Sequence, residues 1–387
     1  MIPDRHPIED ASRLRAIFDA PRALTVGLEE EVMLLDPDSL ELAPLAEDVL
    51  GALPDDGRFK LELPASQIEI ITPPCPGVTD AIEVLAAGRA QLVEAAAERV
   101  LPACAGVHPF SASEGELNAD TRGRVELVAE YGAAARRQLV CALQVHVAIG
   151  EAEATIAVHD ALRSYLPELA ALAANAPFYE GADTGLASVR PKIAEALPRQ
   201  GIPPAFGSLD RLAEVLRFGR ATGSFPSPGK WWWELRPNVR FGTLELRVPD
   251  AQTTIEDAAA VAAVAHCLIA WLLERHRSGE KLPTHDRWQI EENRWRACRR
   301  ALEGELIDLE TGATRPARER LEDLLEALGP VAGSLGCAAE LELAHELIRA
   351  GGGAGRQRLA AGEGGGGARA VTHWLAERFD APSRLSG

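Results

Sequence analysis

A chain of 387 residues with 58 Asp and Glu against 40 Lys and Arg has a formal charge of −18. That surplus is wrong for nucleic acid or an anionic membrane surface, which need clustered Lys and Arg, and it favours a soluble protein acting on small molecules. With 47% hydrophobic residues there is material for a large core, which excludes disorder as the default state.

The opening segment, MIPDRHPIEDASRLRAIF, has no apolar signal-peptide core. The six cysteines (Cys75, Cys104, Cys141, Cys267, Cys298, Cys337) form no CxxC pair. Both features point to a reducing cytoplasm with buried free thiols. In chain order, Thr25–Asp36 and Gln67–Thr72 read as strands, Val78–Val100 as a helix, Leu139–Gly150 as a strand and Ala154–Asn175 as a helix. Trp231–Arg236 and Thr243–Val248 read as strands. The helix Thr254–Arg277 follows, with Thr253 and Glu256 spaced as a capping box. Its apolar stretch Ala258–Leu273 is interrupted by His266 and is short for a membrane span, so it reads as a buried helix. Beyond about residue 286 the pattern is entirely helical: Arg287–Glu303, Ala317–Leu328, Ala338–Ala350 and Ala368–Phe379. The Gly-rich pieces 351–355 and 362–367 read as a mobile loop between the last two helices. The expected organisation is a single unit over 1–387, with a sheet-containing catalytic core over about 22–285 and a helical extension over about 286–387.

Three motifs fail on context. Gly362, Gly364 and Gly367 satisfy GxGxxG, but they follow a helix rather than a strand. Gly223 to Lys230 has the wrong spacing for a phosphate loop, and Trp231 stands where Ser or Thr should follow the lysine. His345-Glu346 lacks the second histidine of a zincin.

The informative feature is the alternation inside the strands. Side chains switch faces at every residue. In Thr25–Asp36, Val26, Leu28, Val32 and Leu34 share one face and Glu29 and Glu31 the other, with Glu30 stranded on the apolar side. Ile68 and Ile70 oppose Gln67 and Glu69. Leu143, Val145, Val147 and Ile149 oppose Gln144 and His146. Leu244, Leu246 and Val248 oppose Thr243, Glu245 and Arg247. One face is therefore aliphatic and the other carries carboxylates, an imidazole and a guanidinium, as in an antiparallel or mixed sheet with one open face. Carboxylates two residues apart sit roughly 7 Å apart and repel by about 2 kcal/mol at an effective dielectric of ~20. Divalent cations relieve this; all-oxygen ligands suit Mg²⁺ or Mn²⁺, and Arg247 supplies a fork for phosphate or carboxylate. A metal–nucleotide site on an open sheet face is the reading, against a merely solvated face. Two further stretches stand out: Asn175–Arg190, NAPFYEGADTGLASVR, as a binding loop, and Trp231-Trp232-Trp233, as either a strand anchor or part of a site.

Gly27-Leu28-Glu29-Glu30-Glu31, Gln67–Pro74 (QIEIITPP), His108-Pro109-Phe110, Gln144-Val145-His146-Val147, the Asn175–Arg190 loop and Trp233–Asp250 (WELRPNVRFGTLELRVPD) together resemble the carboxylate–amine ligases, and more narrowly the bacterial type 2 glutamate–cysteine ligases. Glu292–Arg296 and Gly355–Arg358 resemble that family's C-terminal half, so the likeness covers about residues 22–380. The resemblance implies a glutamine-synthetase-like α+β fold whose curved, mostly antiparallel sheet forms a funnel for ATP and Mg²⁺, with Mn²⁺ an option. It implies Glu29, Glu31, Glu69 and Glu245 as metal ligands, His146 beside them, Arg247 on phosphate, Arg236 on nucleotide, and Arg190, Asn175 and Trp233 toward substrate. It also implies a homodimer or small homo-oligomer. Two departures stand out: Gln144 and Ala148 replace the first histidine and the glycine of an HVHVG pattern, and Asn238 lies in the RPxxRFGT stretch.

The implied reaction activates a carboxylate, the γ-carboxylate of glutamate, as an acyl phosphate and joins it to an amine such as cysteine, releasing ADP and phosphate. Another amine or a carrier-bound acceptor is the first alternative. A guanidino-type phosphotransferase and a non-catalytic nucleotide-binding relative are the others.

Overall fold

The computed structural model describes residues 10–118, 122–225, 228–362, 365–379 and 381. At its centre lie β1 (Val26–Leu35), β2 (Phe59–Leu61), β3 (Gln67–Ile71), β4 (Leu101–Ala103), β5 (Leu143–Ala148), β6 (Leu235–Asn238) and β7 (Thr243–Leu246). They form one sheet in the order β2-β3-β1-β5-β7-β6, with β4 paired to the C-terminal end of β1. All of these pairings are antiparallel.

The register puts the polar residues on one surface. Glu31 lies opposite Glu69, Glu29 opposite Gln144, and Glu245 opposite both His146 and Arg236. Because the side-chain period is two, this alignment sends Leu28, Val32, Ile68, Ile70, Val145 and Leu246 to the other face, where all are buried. Helices α1 (Val78–Ala96) and α2 (Ile255–Arg277) cover that aliphatic face, and α3 (Ala317–Leu335) and α4 (Ala338–Arg349) pack on α2 in turn. Each Leu or Ile so buried stabilises the fold by about 1.5–3 kcal/mol. Among the described residues α2 is the one helix long and apolar enough to cross a membrane, and it is a buried core helix.

The elements differ from the sequence pattern in instructive places. The α2 cap is Thr254, whose hydroxyl accepts the Asp257 amide, while Thr253 is buried one residue upstream. The expected helix 154–175 breaks into Ala152–Leu162, a 3₁₀ turn and Leu166–Ala173. Pro167 lacks an amide donor and so suits the first turn of a new helix. The strand expected at Trp231 begins only at Leu235, because Trp231 and Trp233 are buried with Phe206 in an aromatic cluster. Helices Ala11–Asp19 and Leu209–Ala221 are additional to the pattern. So is the hairpin Glu305–Ile307 with Thr314–Pro316, so the C-terminal part is not wholly helical.

The glycines expected as a loop at 351–355 instead open helix α5 (Gly352–Gly362). A Cβ on Gly353 would fall 2.3 Å from Asn175 Oδ1. These glycines let a helix lie directly on a neighbouring segment, and Gln357 Nε2 then donates to Asn175 O and Oδ1, both at 2.8 Å. Of the second Gly-rich piece, residues 363 and 364 lie outside the described residues, as does the middle glycine of the GxGxxG match.

Candidate active site

The open face carries two electrostatic centres. The first is anionic. Oxygens of Glu31, Glu62 and Glu69 lie within 4.8 Å of one another. Two like charges at that separation repel by about 3 kcal/mol at an effective dielectric of ~20. Burial pushes the Glu31 carboxyl up to about 7, and the negative charge of Glu62 adds to it against the pull of Arg247, Arg190 and the Ala142 amide. Lys60, on the same face of β2, pairs with Glu69 and stands 3.8 Å from Glu62 and 4.0 Å from Glu29. Three carboxylates in a partly dry site, with a cation already drawn to them, fit a hard divalent ion with oxygen ligands.

The second centre is built on Glu245, which is fully buried. Its Oε2 accepts from Arg236 Nε at 2.5 Å and Asn238 Nδ2 at 2.6 Å, and its Oε1 from Arg247 NH1 at 2.6 Å. Burial opposes its ionisation, but Arg236, His146 and Arg247 outweigh this and hold the carboxyl well below the usual range. Glu245 thus aligns two guanidinium forks. Gln144 bridges the centres: its Oε1 accepts from Arg247, and its Nε2 donates to Glu31 at 3.2 Å and Glu69 at 3.3 Å. His146 Nε2 stands 3.4 Å from Glu29 and its Nδ1 3.0 Å from Thr243 Oγ1. Burial works against the Glu29 charge too, but neighbouring His146 and Lys60 prevail, so its carboxyl lies below the ordinary value.

Beyond the carboxylates, at the Glu31 end, a cavity of about 230 Å³ is lined by Glu31, Glu62, Gln67, Arg190, Trp232 and Arg247, among others. Arg190 is fixed there by donating to Arg247 O at 2.9 Å and Val248 O at 3.3 Å, and it stands 3.5 Å from Asp250. Its Nε and Gln67 Nε2 are buried donors without a hydrogen-bond acceptor among the described residues. Glu234 on the same wall is held by Arg294 through bonds of 2.6–2.9 Å. A larger cleft, about 820 Å³, lies behind the sheet. Two of its arginines are already paired, Arg89 with Glu30 and Arg356 with Asp257. The chemistry-bearing groups converge at the smaller one.

The structure therefore brings Glu29, Glu31, Glu69, His146, Glu245, Arg236, Arg247 and Arg190 onto or beside one face. It separates Asn175 and Trp233 from that face. Asn175 is fully buried, with its amide given to Ala251 O and Thr253 Oγ1 and its oxygen to Gln357, so it ties segments together instead of meeting substrate. Trp233 packs 5.0 Å from Trp231 in the aromatic cluster. Glu245, expected among the metal ligands, spends its oxygens on Arg236, Asn238 and Arg247. Glu62, which the sequence pattern did not single out, lies beside Glu31 and Glu69. Its signal was present in Phe59-Lys60-Leu61-Glu62-Leu63, a further strand alternating aliphatic and charged residues.

Comparison with known proteins agrees with this architecture. Residues 25–373 match the family described as glutamate–cysteine ligase family 2. A candidate glutamate–cysteine ligase 2-3 of Rubrobacter xylanophilus is 41% identical over 369 residues, 93% of this chain and 98% of that protein. A candidate glutamate–cysteine ligase 2-1 of Frankia casuarinae is 34% identical over 371 residues, 94% and 97% of the two chains. The crystal structure of a glutamate–cysteine ligase from Francisella tularensis in complex with AMP superposes with a TM-score of 0.67 at 13% identity, over 94% of this chain and 90% of that one, a likeness of fold. With an antiparallel sheet whose open face gathers carboxylates and arginines, and with near full-length relatives of this kind, the chain belongs to glutamate–cysteine ligase family 2.

Proposed function

We propose that the protein is an ATP-dependent ligase that activates the γ-carboxylate of glutamate and joins it to an amine, with cysteine the first candidate. The observation that carries this reading is the adjacency of the two centres: a triad of carboxylates beside two arginines locked on one buried glutamate, opening on a cavity with an arginine in its wall.

Glu31, Glu62 and Glu69 would hold the metal, with Glu29 adjacent, and a divalent ion there supplies charge neutralisation for the ATP phosphates. The chain's own residues do the rest. Arg236 and Arg247 present fixed guanidinium forks to phosphate oxygens, and Glu245 keeps those forks in place without reorganisation during transfer. Arg190, with its free Nε, suits a substrate carboxylate. The substrate's γ-carboxylate oxygen attacks the γ-phosphorus and ADP leaves; the amine then attacks the acyl carbon and phosphate leaves. Catalysis of this kind is positioning and electrostatics, so no Ser or Cys nucleophile is required. His146, wedged between Glu29 and Thr243, is placed to keep the Glu29 carboxylate oriented. Gln144, where relatives of the resemblance carry histidine, belongs to the bridge between centres, which is why the amine has to be tested broadly.

The test is incubation with Mg-ATP, glutamate and a panel of amines including cysteine, read by mass spectrometry. ADP together with a γ-glutamyl amide is expected. AMP with pyrophosphate refutes an acyl phosphate. A stable phosphorylated guanidino product replaces the ligase with a phosphotransferase, and nucleotide binding without ADP release makes the chain a non-catalytic binder.

A further inference from the structure

The turn joining β6 to β7 presents a large apolar ring at the rim of a strongly polar face. Phe241 is 49% exposed, and its ring meets His146 edge-on at 5.7 Å and 78°. Exposed aromatics are ordinary on mobile surfaces, but this one sits on a backbone fixed from three sides. Asn238 Oδ1 accepts the amides of Arg240 at 3.0 Å and Phe241 at 3.2 Å, and Asn238 O accepts that of Gly242 at 2.9 Å. Gly242 has φ +70°, and a Cβ there would stand 2.4 Å from Ile17 O of the helix Ala11–Asp19. Only glycine fits that contact, so the turn is pressed against its neighbour. Asn238 also donates to Glu245, so one side chain sets the ring and the arginine-bearing carboxylate in a common frame. Arg240 lies over the Phe241 ring, its guanidinium carbon 5.0 Å from the centroid.

The position along the face selects the partner. Glu31, Glu62, Glu69 and the 230 Å³ cavity occupy the opposite end. From Thr243 to Arg247 the chain runs four residues, about 13 Å at strand rise. Arg236, opposite Glu245, lies between the ends, and Arg247 borders the cavity. A nucleoside triphosphate laid along this axis puts its terminal phosphate at the carboxylates and its base at the turn. A rigid, half-exposed ring there offers the flat apolar surface on which a base stacks.

We propose that Phe241 is the platform for the nucleobase of the bound nucleoside triphosphate, with Asn238 as the positioning residue that holds it in register with Glu245. The inference rests on the nucleotide reading above and adds to it the residue that recognises the base. It is tested by calorimetric titration of wild type, Phe241→Ala and Phe241→Trp with ATP and with inorganic triphosphate, all in Mg²⁺. Triphosphate keeps the charges and lacks the base. Phe241→Ala is expected to weaken ATP about tenfold or more while triphosphate binds as to wild type, and Phe241→Trp to keep ATP within about threefold. Unchanged ATP affinity in Phe241→Ala overturns the inference, as does an equal loss of ATP and triphosphate, because the ring would then serve the fold or the phosphates. A wild type that binds neither ligand defeats the nucleotide reading itself, a distinct result.

Discussion

Glu29, Glu30 and Glu31 are consecutive, yet the sheet sends them to two environments. Behind the sheet, Glu30 is fully buried and meets Arg89 with both oxygens, at 2.8 and 2.6 Å. Two further guanidinium hydrogens go to Gln252 O at 2.8 Å and Thr253 O at 3.2 Å, and Phe379 covers the group at 4.7 Å. In front, Glu29 and Glu31 join Glu62 and Glu69, with Lys60 the cation among them. The rear pair is closed: each charge has its partner and its hydrogen bonds. The front cluster carries negative charge in excess of its protein partners. One residue type on one strand is structural or functional according to whether the fold itself completes it.

Breaking the front should therefore abolish chemistry and spare the fold, and breaking the rear should do the reverse. The largest effect expected is from Glu31→Gln or Glu69→Gln, each lowering Mg²⁺-dependent ATP turnover on the order of 10³-fold, with a melting temperature no lower than wild type because a crowded charge is removed. Steady-state ADP release and a thermal melt of the same samples check both halves. Retained turnover in both variants would sink the site. Arg89→Ala leaves Glu30 buried and unpaired and should cost about 3–5 kcal/mol of stability. Urea unfolding measures it. Replacing both partners by Met should recover most of that loss, since the penalty is for the orphaned charge and not for the missing pair.

The sequence carried the two-faced design because a strand's period of two is a local property: Glu29, Glu69, Gln144, His146 and Glu245 could be assigned to one surface before any pairing was known. What it could not carry was partner choice across the sheet. Glu30 looked anomalous until Arg89 arrived from α1, 59 residues away. Glu245 looked like one more metal ligand because its second arginine, Arg236, comes from a hairpin register that alternation does not encode. Gly352, Gly353 and Gly355 looked loop-like because loop composition and close helix packing both favour small residues, and that packing is what buries Asn175. Trp233 differs again, since strand propensity placed it where tertiary aromatic packing bends the chain.

A closed histidine gives a third way to separate the two regimes, by pH. His108 is buried, its Nε2 2.8 Å from Leu40 O, and its Nδ1 accepts the amides of Phe110 at 3.1 Å and Ser111 at 2.8 Å. Burial pulls it down to about 4 from 6.5, more than the Leu40 carbonyl and Glu41 raise it. The folded value is depressed, so the neutral ring's stabilisation is present above pH 6.5 and is lost as pH falls toward 4. The full difference is about 3 kcal/mol. Urea midpoints taken from pH 7 to pH 4 should fall, and His108→Gln should flatten that slope. An unaltered slope would mean that other groups govern acid stability.

The smallest effect tests the residue that completes the front. Glu62 is the most exposed of its triad, with a side chain 26% accessible, so its removal costs the fold little. If it shares the ion with Glu31 and Glu69, then Glu62→Gln lowers the ligand charge by one, and affinity follows ligand charge count. The expected result is a shift of the Mg²⁺ midpoint for ADP release by about tenfold to higher concentration, with turnover at saturating Mg²⁺ within a few-fold of wild type. A midpoint that stays put would return Glu62 to the solvated surface and leave Glu29 as the third carboxylate. Glu29→Gln is therefore the partner variant in the same titration: the triad seen here predicts the larger shift for Glu62, and the reverse order would mean that the ion sits nearer His146 than the carboxylate spacing implies.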